Sequence, residues 1–162
     1  MTMALPKAIL LQSRDIASAK AVDLMTYGST IFPNSSGVLD LASSRLLGLG
    51  VEFAVAARRC FEIDGSKPEI QACRFPNELR KGSRLERNFL FALNGIIHAR
   101  ELRAHFCPAP YEVFANDGNV VALHFVYETD KYPETYVDIF GLAWTFLTFG
   151  PFAWDLKGQE TA

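Results

Sequence analysis

The sequence lacks the features that would place it at once in a specialised class of protein. Its three cysteines, Cys60, Cys73 and Cys107, form no C-x-x-C pair and no regular framework. That spacing favours buried thiols in a reducing compartment, and a single disulfide bond is the alternative. The net charge of −2 gives no global attraction to nucleic acid or anionic lipid. No apolar run approaches the roughly 20 residues of a membrane span. We therefore expect a cytoplasmic protein that does not bind membranes.

The motifs of common catalytic and nucleotide-binding sites are also missing. The chain contains no G-x-S-x-G elbow, no H-E-x-x-H pair and no Walker-type loop. Gly48 and Gly50 lie inside an apolar helical pattern, where they indicate a kink or a close contact with another helix. We predict no cofactor and no metal ion from these motifs.

Apolar residues are abundant, and their spacing predicts helices in the first two thirds of the chain. The sequence is 162 residues long and 49% hydrophobic, which suits a single domain over residues 1–162. Ser83 followed by Glu86 matches a capping box at the start of the third helix. The apolar periodicity predicts helices over 13–28, 36–62 and 83–106.

The hydrophobic period changes to two after residue 110, which indicates β-structure. Alternating apolar residues around Asp117-Gly118 predict a β-hairpin over 111–127. On its second strand the alternation places Val121, Leu123, Phe125 and Tyr127 on one face and Val120, Ala122, His124 and Val126 on the other. His124, on the less apolar face, is interpreted as a surface or cross-strand residue. A strand over 136–140 and a short helix then follow, in preference to one long strand bent at Gly141. The fold class is α+β, with N-terminal helices packed on a small antiparallel β-sheet.

The predicted third helix carries a narrow line of polar residues on a largely apolar surface. On a helix that turns about 100° per residue, five polar residues fall within roughly 40° of arc: Arg87, Asn94, His98, Glu101 and His105. The cleft beside this line is the first candidate site. Its candidate catalytic residues are His98, Arg100, Glu101 and His105. Its candidate ligand-binding residues are Arg87, Asn94 and Trp144.

Two chemistries suit this line, and an ordinary helix contact competes with both. A histidine beside Glu101 can hold the proton that acid–base catalysis needs near neutral pH. Adjacent members of His98, Glu101 and His105 could reach one metal ion, but the two histidines lie about 10.5 Å apart along the axis. No second helix offers a matching ligand pair. Glu101 could instead pair with a neighbouring histidine or arginine without any catalytic role.

Two short phrases of the same segment resemble known bacterial families. Arg100 and His105 spell R-x-x-x-x-H, which resembles the motif of HEPN-domain ribonucleases. The resemblance implies that Arg100 steadies a phosphate and that His105 takes part in proton transfer, without a metal. Glu101 departs from the amide-bearing residue expected after the arginine, and family members are helical bundles. Residues 93–99, LNGIIHA, are similar to an L-N-x-I-I-H-A phrase of small integron-cassette and mobile-element proteins, which implies an accessory bacterial gene and no particular reaction.

The C-terminal segment is rich in large aromatic side chains, which carry much apolar area per residue. They suit the core, a subunit interface or a small-molecule pocket, and the group consists of Phe140, Trp144, Phe146, Phe149, Phe152 and Trp154. With no complete catalytic motif, the leading hypothesis is a non-enzymatic binding or protein-interaction module. In this hypothesis the protein forms a homodimer and binds an unknown small molecule or protein. The alternative is a HEPN-like ribonuclease of a defence or toxin system, with RNA as its substrate.

Overall fold

The computed structural model describes residues 4–71, 82–110, 112–114 and 118–149. Within these ranges no helix is long and apolar enough to cross a membrane. The elements are, in chain order, α1 (Ala4–Ser29), β1 (Ile31–Pro33), α2 (Ser36–Asp64), β2 (Arg84–Leu85), α3 (Phe89–Ile97), β3 (Glu101–Pro108), β4 (Asn119–Glu128), β5 (Thr135–Asp138) and α4 (Ile139–Phe149). The predicted α+β class is confirmed, with N-terminal helices packed against a sheet.

Strand β4 is the centre of the sheet. It pairs with β3 over nearly its whole length and, along its other edge, with β1 near its start and β5 near its end. These three pairings are antiparallel, whereas the short β2 pairs with β5 in parallel. The sheet is therefore mixed and not purely antiparallel as predicted, because β2 reaches β5 through a crossover that includes three further elements.

The helices pack on one face of the sheet, and their aromatic side chains join them. Helix α2 contributes Phe53 and Phe61, α3 contributes Phe89, and α4 contributes Phe146. Their rings meet at centroid distances of 4.9–6.5 Å, mostly edge to face, an arrangement that aromatic quadrupoles favour. Of the C-terminal aromatic residues, Phe146 thus completes the core. Phe152 and Trp154 lie outside the described residues.

The two faces of β4 do not alternate along its full length, because the pairing with β3 contains a bulge. Register shifts between His105 and Phe106, which leaves Leu123 as an extra residue on β4. Phe125 and Tyr127 face the helices, as the alternation predicts, but Val121 pairs with Cys107 on the opposite face. An extra residue inverts the facing of everything beyond it. The predicted common face for Val121 and Phe125 is therefore wrong.

The predicted third helix over 83–106 is also wrong at both ends. Helix α3 begins after Asn88, whose side chain accepts a hydrogen bond from the Phe91 amide at 3.0 Å, so Ser83 and Glu86 form no capping box. It ends at Ile97, and residues from Glu101 onward are strand β3. The line of five polar residues is therefore not one helical face.

Other element boundaries differ in ways that follow from strand pairing and packing. Helix α1 begins at Ala4 and not near Ser13, which is buried within it. The segment predicted as a turn after α1 contains β1, held by β4. The hairpin is formed by β3 and β4, so its first strand lies earlier in the chain than the predicted one. Gly118 has a positive φ, as predicted, and its value is 94°. The C-terminal strand followed by a helix is confirmed.

Gly50 allows helix α2 to approach β4, which makes it a test of this packing. An added Cβ would lie 2.6 Å from Phe125 Cζ, within the buried core, whereas one at Gly48 would meet nothing within 4 Å. We expect Gly50→Ala to lower the free energy of unfolding by about 1–3 kcal/mol through overpacking. Gly48→Ala on the same helix should raise it by about 0.5–1 kcal/mol. Urea unfolding of both variants measures the difference, and equal stabilisation by both would contradict the packing described.

Candidate functional site

A cavity of about 450 Å³ lies between α3 and the loop that joins β4 to β5. Its size is within the range of small-molecule sites. The loop is ordered by the Thr129 hydroxyl, which accepts hydrogen bonds from the Lys131 and Tyr132 amides at 3.3 and 3.2 Å. The walls combine aromatic, charged and amide side chains: Arg58, Glu86, Phe91, Asn94, His98, Tyr127, Asp130, Lys131 and Tyr132.

Tyr127 forms an inner wall of this cavity because α3 lacks a side chain beside it. A Cβ at Gly95 would lie 2.1 Å from Tyr127 Cζ, so only glycine leaves room for the ring beside the helix. The guanidinium of Arg84 stacks 4.1 Å from the Tyr132 ring centroid and pairs with Glu86 at 2.6 Å. Burial raises the pKa of the Tyr127 phenol, the nearby Glu86 carboxylate raises it further, and Arg84 opposes them.

Two of the predicted site residues line this cavity, one within α3 and one at its C-cap. Asn94 is half-buried, and its Oδ1 atom has no hydrogen-bond partner among the described residues. His98 is exposed at the end of α3, where its amide donates to the Asn94 carbonyl at 2.9 Å. They share the cavity because residues four apart lie on the same side of a helix. The predicted third helix placed these two residues together for the same reason.

The remaining predicted residues lie elsewhere. Arg87 is exposed in the turn before α3, and Arg100 is exposed and pairs with Asp130 at 3.5 Å. Glu101 is exposed at the start of β3. Trp144 is 44% exposed on α4, with its ring stacked on Phe140. None of the four is brought together with Asn94 and His98 at the cavity wall.

His105 faces a different neighbourhood, on the side of the sheet opposite to the helices. It pairs directly with His124 across the β3–β4 ladder, and their Nδ1 atoms are 3.2 Å apart. Cys107, two residues along β3, places its Sγ atom 3.7 Å from the His105 ring nitrogens. One donor atom from each of the three residues lies within 4.8 Å of the other two. We call this group the His–Cys cluster.

The His–Cys cluster is enclosed by the sheet. His124 and Cys107 are buried and His105 is half-buried. The Tyr136 ring packs edge-on against both imidazoles, at centroid distances of 5.4 and 5.2 Å. On the other side of His124 the register places Asp138, whose Oδ1 accepts a hydrogen bond from the Gly141 amide at the start of α4. The cluster thus has nitrogen and sulfur donors on paired strands.

The sequence offered Cys107 beside His105 only as a nucleophile pair without the rest of a catalytic constellation, and it did not group either residue with His124, although a signal for the grouping exists. His124 was interpreted as a surface or cross-strand residue; it is a cross-strand residue, and it is fully buried. The alternation Glu101, Arg103, His105, Cys107 against Leu102, Ala104, Phe106 is a period of two. Read as a strand, this alternation places His105 and Cys107 on one face. The helical interpretation of the same residues separated them.

The geometry of the ribonuclease alternative differs from that of a helical R-x-x-x-x-H motif. Arg100 lies in a bend, and its amide donates to the Glu128 carbonyl at 2.9 Å. From Glu101 to His105 the chain advances by four residues as an extended strand, a length of about 13 Å. A nuclease groove is expected to have a positive rim formed by Arg80, Lys81 and Arg84, of which Arg80 and Lys81 lie outside the described residues.

Comparisons of the chain with protein-family models, with curated proteins and with solved structures found no match. The assignment of a function therefore depends on the two sites described above.

Burial of Tyr127 makes the stability of the fold depend on alkaline pH. Because the phenol pKa is raised in the folded state above its ordinary value near 10, the unfolded chain loses this proton first. The free energy of unfolding should therefore fall as pH rises from about 9.5 upward. Tyr127→Phe should show a smaller fall, measured by urea unfolding at pH 8 and pH 10.5.

The buried Cys60 thiol, whose pKa is raised to about 11 by burial, contributes a fall of the same sign. It is present in both proteins and cancels in the comparison. An identical pH dependence in wild type and Tyr127→Phe would show that Tyr127 is not desolvated.

Proposed function

We propose that this protein is a non-enzymatic binding module that holds a small, flat, uncharged heteroaromatic molecule in the cavity beside α3. The observation that carries the proposal is Asn94, a cavity residue whose Oδ1 atom is buried without a hydrogen-bond partner among the described residues. A buried acceptor left unsatisfied costs about 1–3 kcal/mol. A ligand that donates an N–H or O–H group to Asn94 would recover this cost once the amide turns its Oδ1 atom toward the cavity.

The charges and rings of the cavity support this class of ligand. Arg58 and Lys131 are balanced by Glu86 and Asp130, so the lining carries no net formal charge. Phe91 is 60% exposed at the wall, where a flat ring could cover it. Aromatic stacking contributes about 0.5–1.5 kcal/mol beyond burial of area. A neutral ring with one donor group therefore suits the site better than a phosphate or a free carboxylate.

We also propose that the module acts as a homodimer. Support comes from large apolar side chains that helices α1 and α2 leave exposed, among them Ile16 at 43%, Val22 at 54% and Leu41 at 77%. Large exposed apolar side chains would be removed from water in a subunit interface, and isologous dimers are the commonest soluble assemblies.

Ligand binding at the cavity can be tested with adenine, nicotinamide and indole as probes. Saturation-transfer NMR and titration should identify binding to the wild type, because each probe is a flat, neutral ring with an N–H donor. Asn94→Ala should weaken binding about 10-fold, as expected for loss of one hydrogen bond of about 1.4 kcal/mol. Phe91→Ala should weaken it by a similar or smaller factor.

Trp144→Ala provides the matched control, since it removes an exposed aromatic residue on α4 that does not line the cavity. It should leave the affinity unchanged. Affinities that are equal in wild type, Asn94→Ala and Phe91→Ala would contradict the proposal. Degradation of RNA by the wild type but not by His105→Ala would replace it with the ribonuclease alternative.

The dimer can be tested by light scattering coupled to size-exclusion chromatography. The wild type should show twice the chain mass of 18.0 kDa. Leu41→Glu should shift the population toward monomer, because a carboxylate in an apolar interface is costly to desolvate. Thr148→Glu, an exposed change on α4, should not. A wild type that stays monomeric at the highest soluble concentration would refute this part of the proposal.

A further inference from the structure

We infer that the His–Cys cluster, formed by His105, Cys107 and His124, is a binding site for a divalent transition-metal ion of the zinc class. This site lies on the sheet face opposite to the helices and is independent of the proposed ligand cavity. It differs from the metal set considered for a helix, because Cys107 and His124 join His105 in place of His98 and Glu101.

The distances within the cluster match those of a tetrahedral zinc site. Zn–N bonds of about 2.0–2.1 Å and a Zn–S bond of about 2.3 Å, at tetrahedral angles, separate two nitrogens by about 3.3 Å and a nitrogen from a sulfur by about 3.6 Å. The corresponding separations are 3.2 Å between His105 Nδ1 and His124 Nδ1, and 3.7 Å between His105 Nδ1 and Cys107 Sγ. The third pair, His124 and Cys107, has donor atoms within 4.8 Å of each other. Rotation of the side chains can therefore bring all three donors to one ion.

The donor atoms select the class of ion. Two imidazole nitrogens and one thiolate sulfur suit zinc and similar borderline-soft ions, whereas Ca²⁺ and Mg²⁺ require oxygen ligands. On binding, the Cys107 thiol releases its proton to solvent and the two imidazoles bind through neutral nitrogens. Three protein ligands leave the fourth tetrahedral position to water or to a small anion.

The sheet holds the three donors in place before an ion binds. His105 and His124 are directly paired, and Cys107 is two residues from His105 on the same strand face. The bulge lies immediately beyond His105, a position at which bulges commonly re-aim side chains near functional sites. The imidazole planes differ by only 14°, so binding requires rotation of the rings about their Cβ–Cγ bonds, for which the torsion is soft.

Cobalt spectroscopy tests this inference on the full chain. Protein without a polyhistidine tag is stripped with a chelator and titrated with Co²⁺, then with Zn²⁺ in competition. We expect one equivalent of Co²⁺ to give the strong visible bands of tetrahedral cobalt and a sulfur-to-cobalt charge-transfer band. Zn²⁺ should displace both. Cys107→Ser should remove the charge-transfer band.

Zinc affinity separates the cluster from other potential ligands of the chain. Cys107→Ser and His105→Ala should each weaken Zn²⁺ binding on the order of 100-fold or more, since even outer-shell changes cost about 10- to 100-fold. Cys60→Ala, which removes another buried thiol, and His98→Ala, which removes the third histidine, are matched controls. Both should bind like the wild type.

Nuclear magnetic resonance of the unsubstituted protein keeps the test independent of how the variants fold. Zn²⁺ should shift the imidazole ¹⁵N resonances of His105 and His124 and leave those of His98 unchanged. A cluster that is only an imidazole–imidazole hydrogen bond beside a thiol would show no shift and no cobalt charge-transfer band. Either result, or equal Zn²⁺ affinity in Cys107→Ser and the wild type, would overturn the inference.

Discussion

The pairing of β3 with β4 is the interaction on which the rest of the structure depends. Eight residues of β3 are paired with β4 in antiparallel register, and the Arg100 amide donates a hydrogen bond to the Glu128 carbonyl at the end of this ladder. The pairing satisfies the polar backbone of a strand that is buried on both faces. It also ends α3, because residues after Ile97 that could continue the helix form these inter-strand bonds instead.

Because β4 is central, it connects the two candidate sites to one core. Tyr127 faces the helices and forms a wall of the cavity, while His124, three residues earlier, points to the opposite face and enters the His–Cys cluster. Both residues are held by β3 on one edge and β5 on the other. The proposed ligand cavity and the proposed metal site therefore share a rigid support without sharing a side chain.

The sequence predicted helices and strands well where the apolar periodicity agrees with the capping and turn residues at their ends. Helix α2 has a regular apolar pattern and ends at Gly65, whose φ of 79° suits a C-cap glycine. The final strand and helix were predicted for similar reasons. Asn94 and His98 lie together because Asn94 is within α3 and His98 is its C-cap. The failure that changes the candidate site most is at residues 98–108, where alanine, arginine, glutamate and leucine favour a helix intrinsically. Pairing with a distant strand outweighed this local preference.

The sequence by itself determined the α+β class, the helical pattern of α2 and the strand-then-helix order at the end of the described chain, because each depends on side chains close together along the chain. Only the tertiary structure decided that β3 is a strand, that a bulge inverts the facing of Val121, and that His105 meets Cys107 and His124. Those outcomes depend on hydrogen bonds between segments about twenty residues apart. The register of that pairing is set by burial of both faces of β4, and no local motif specifies it.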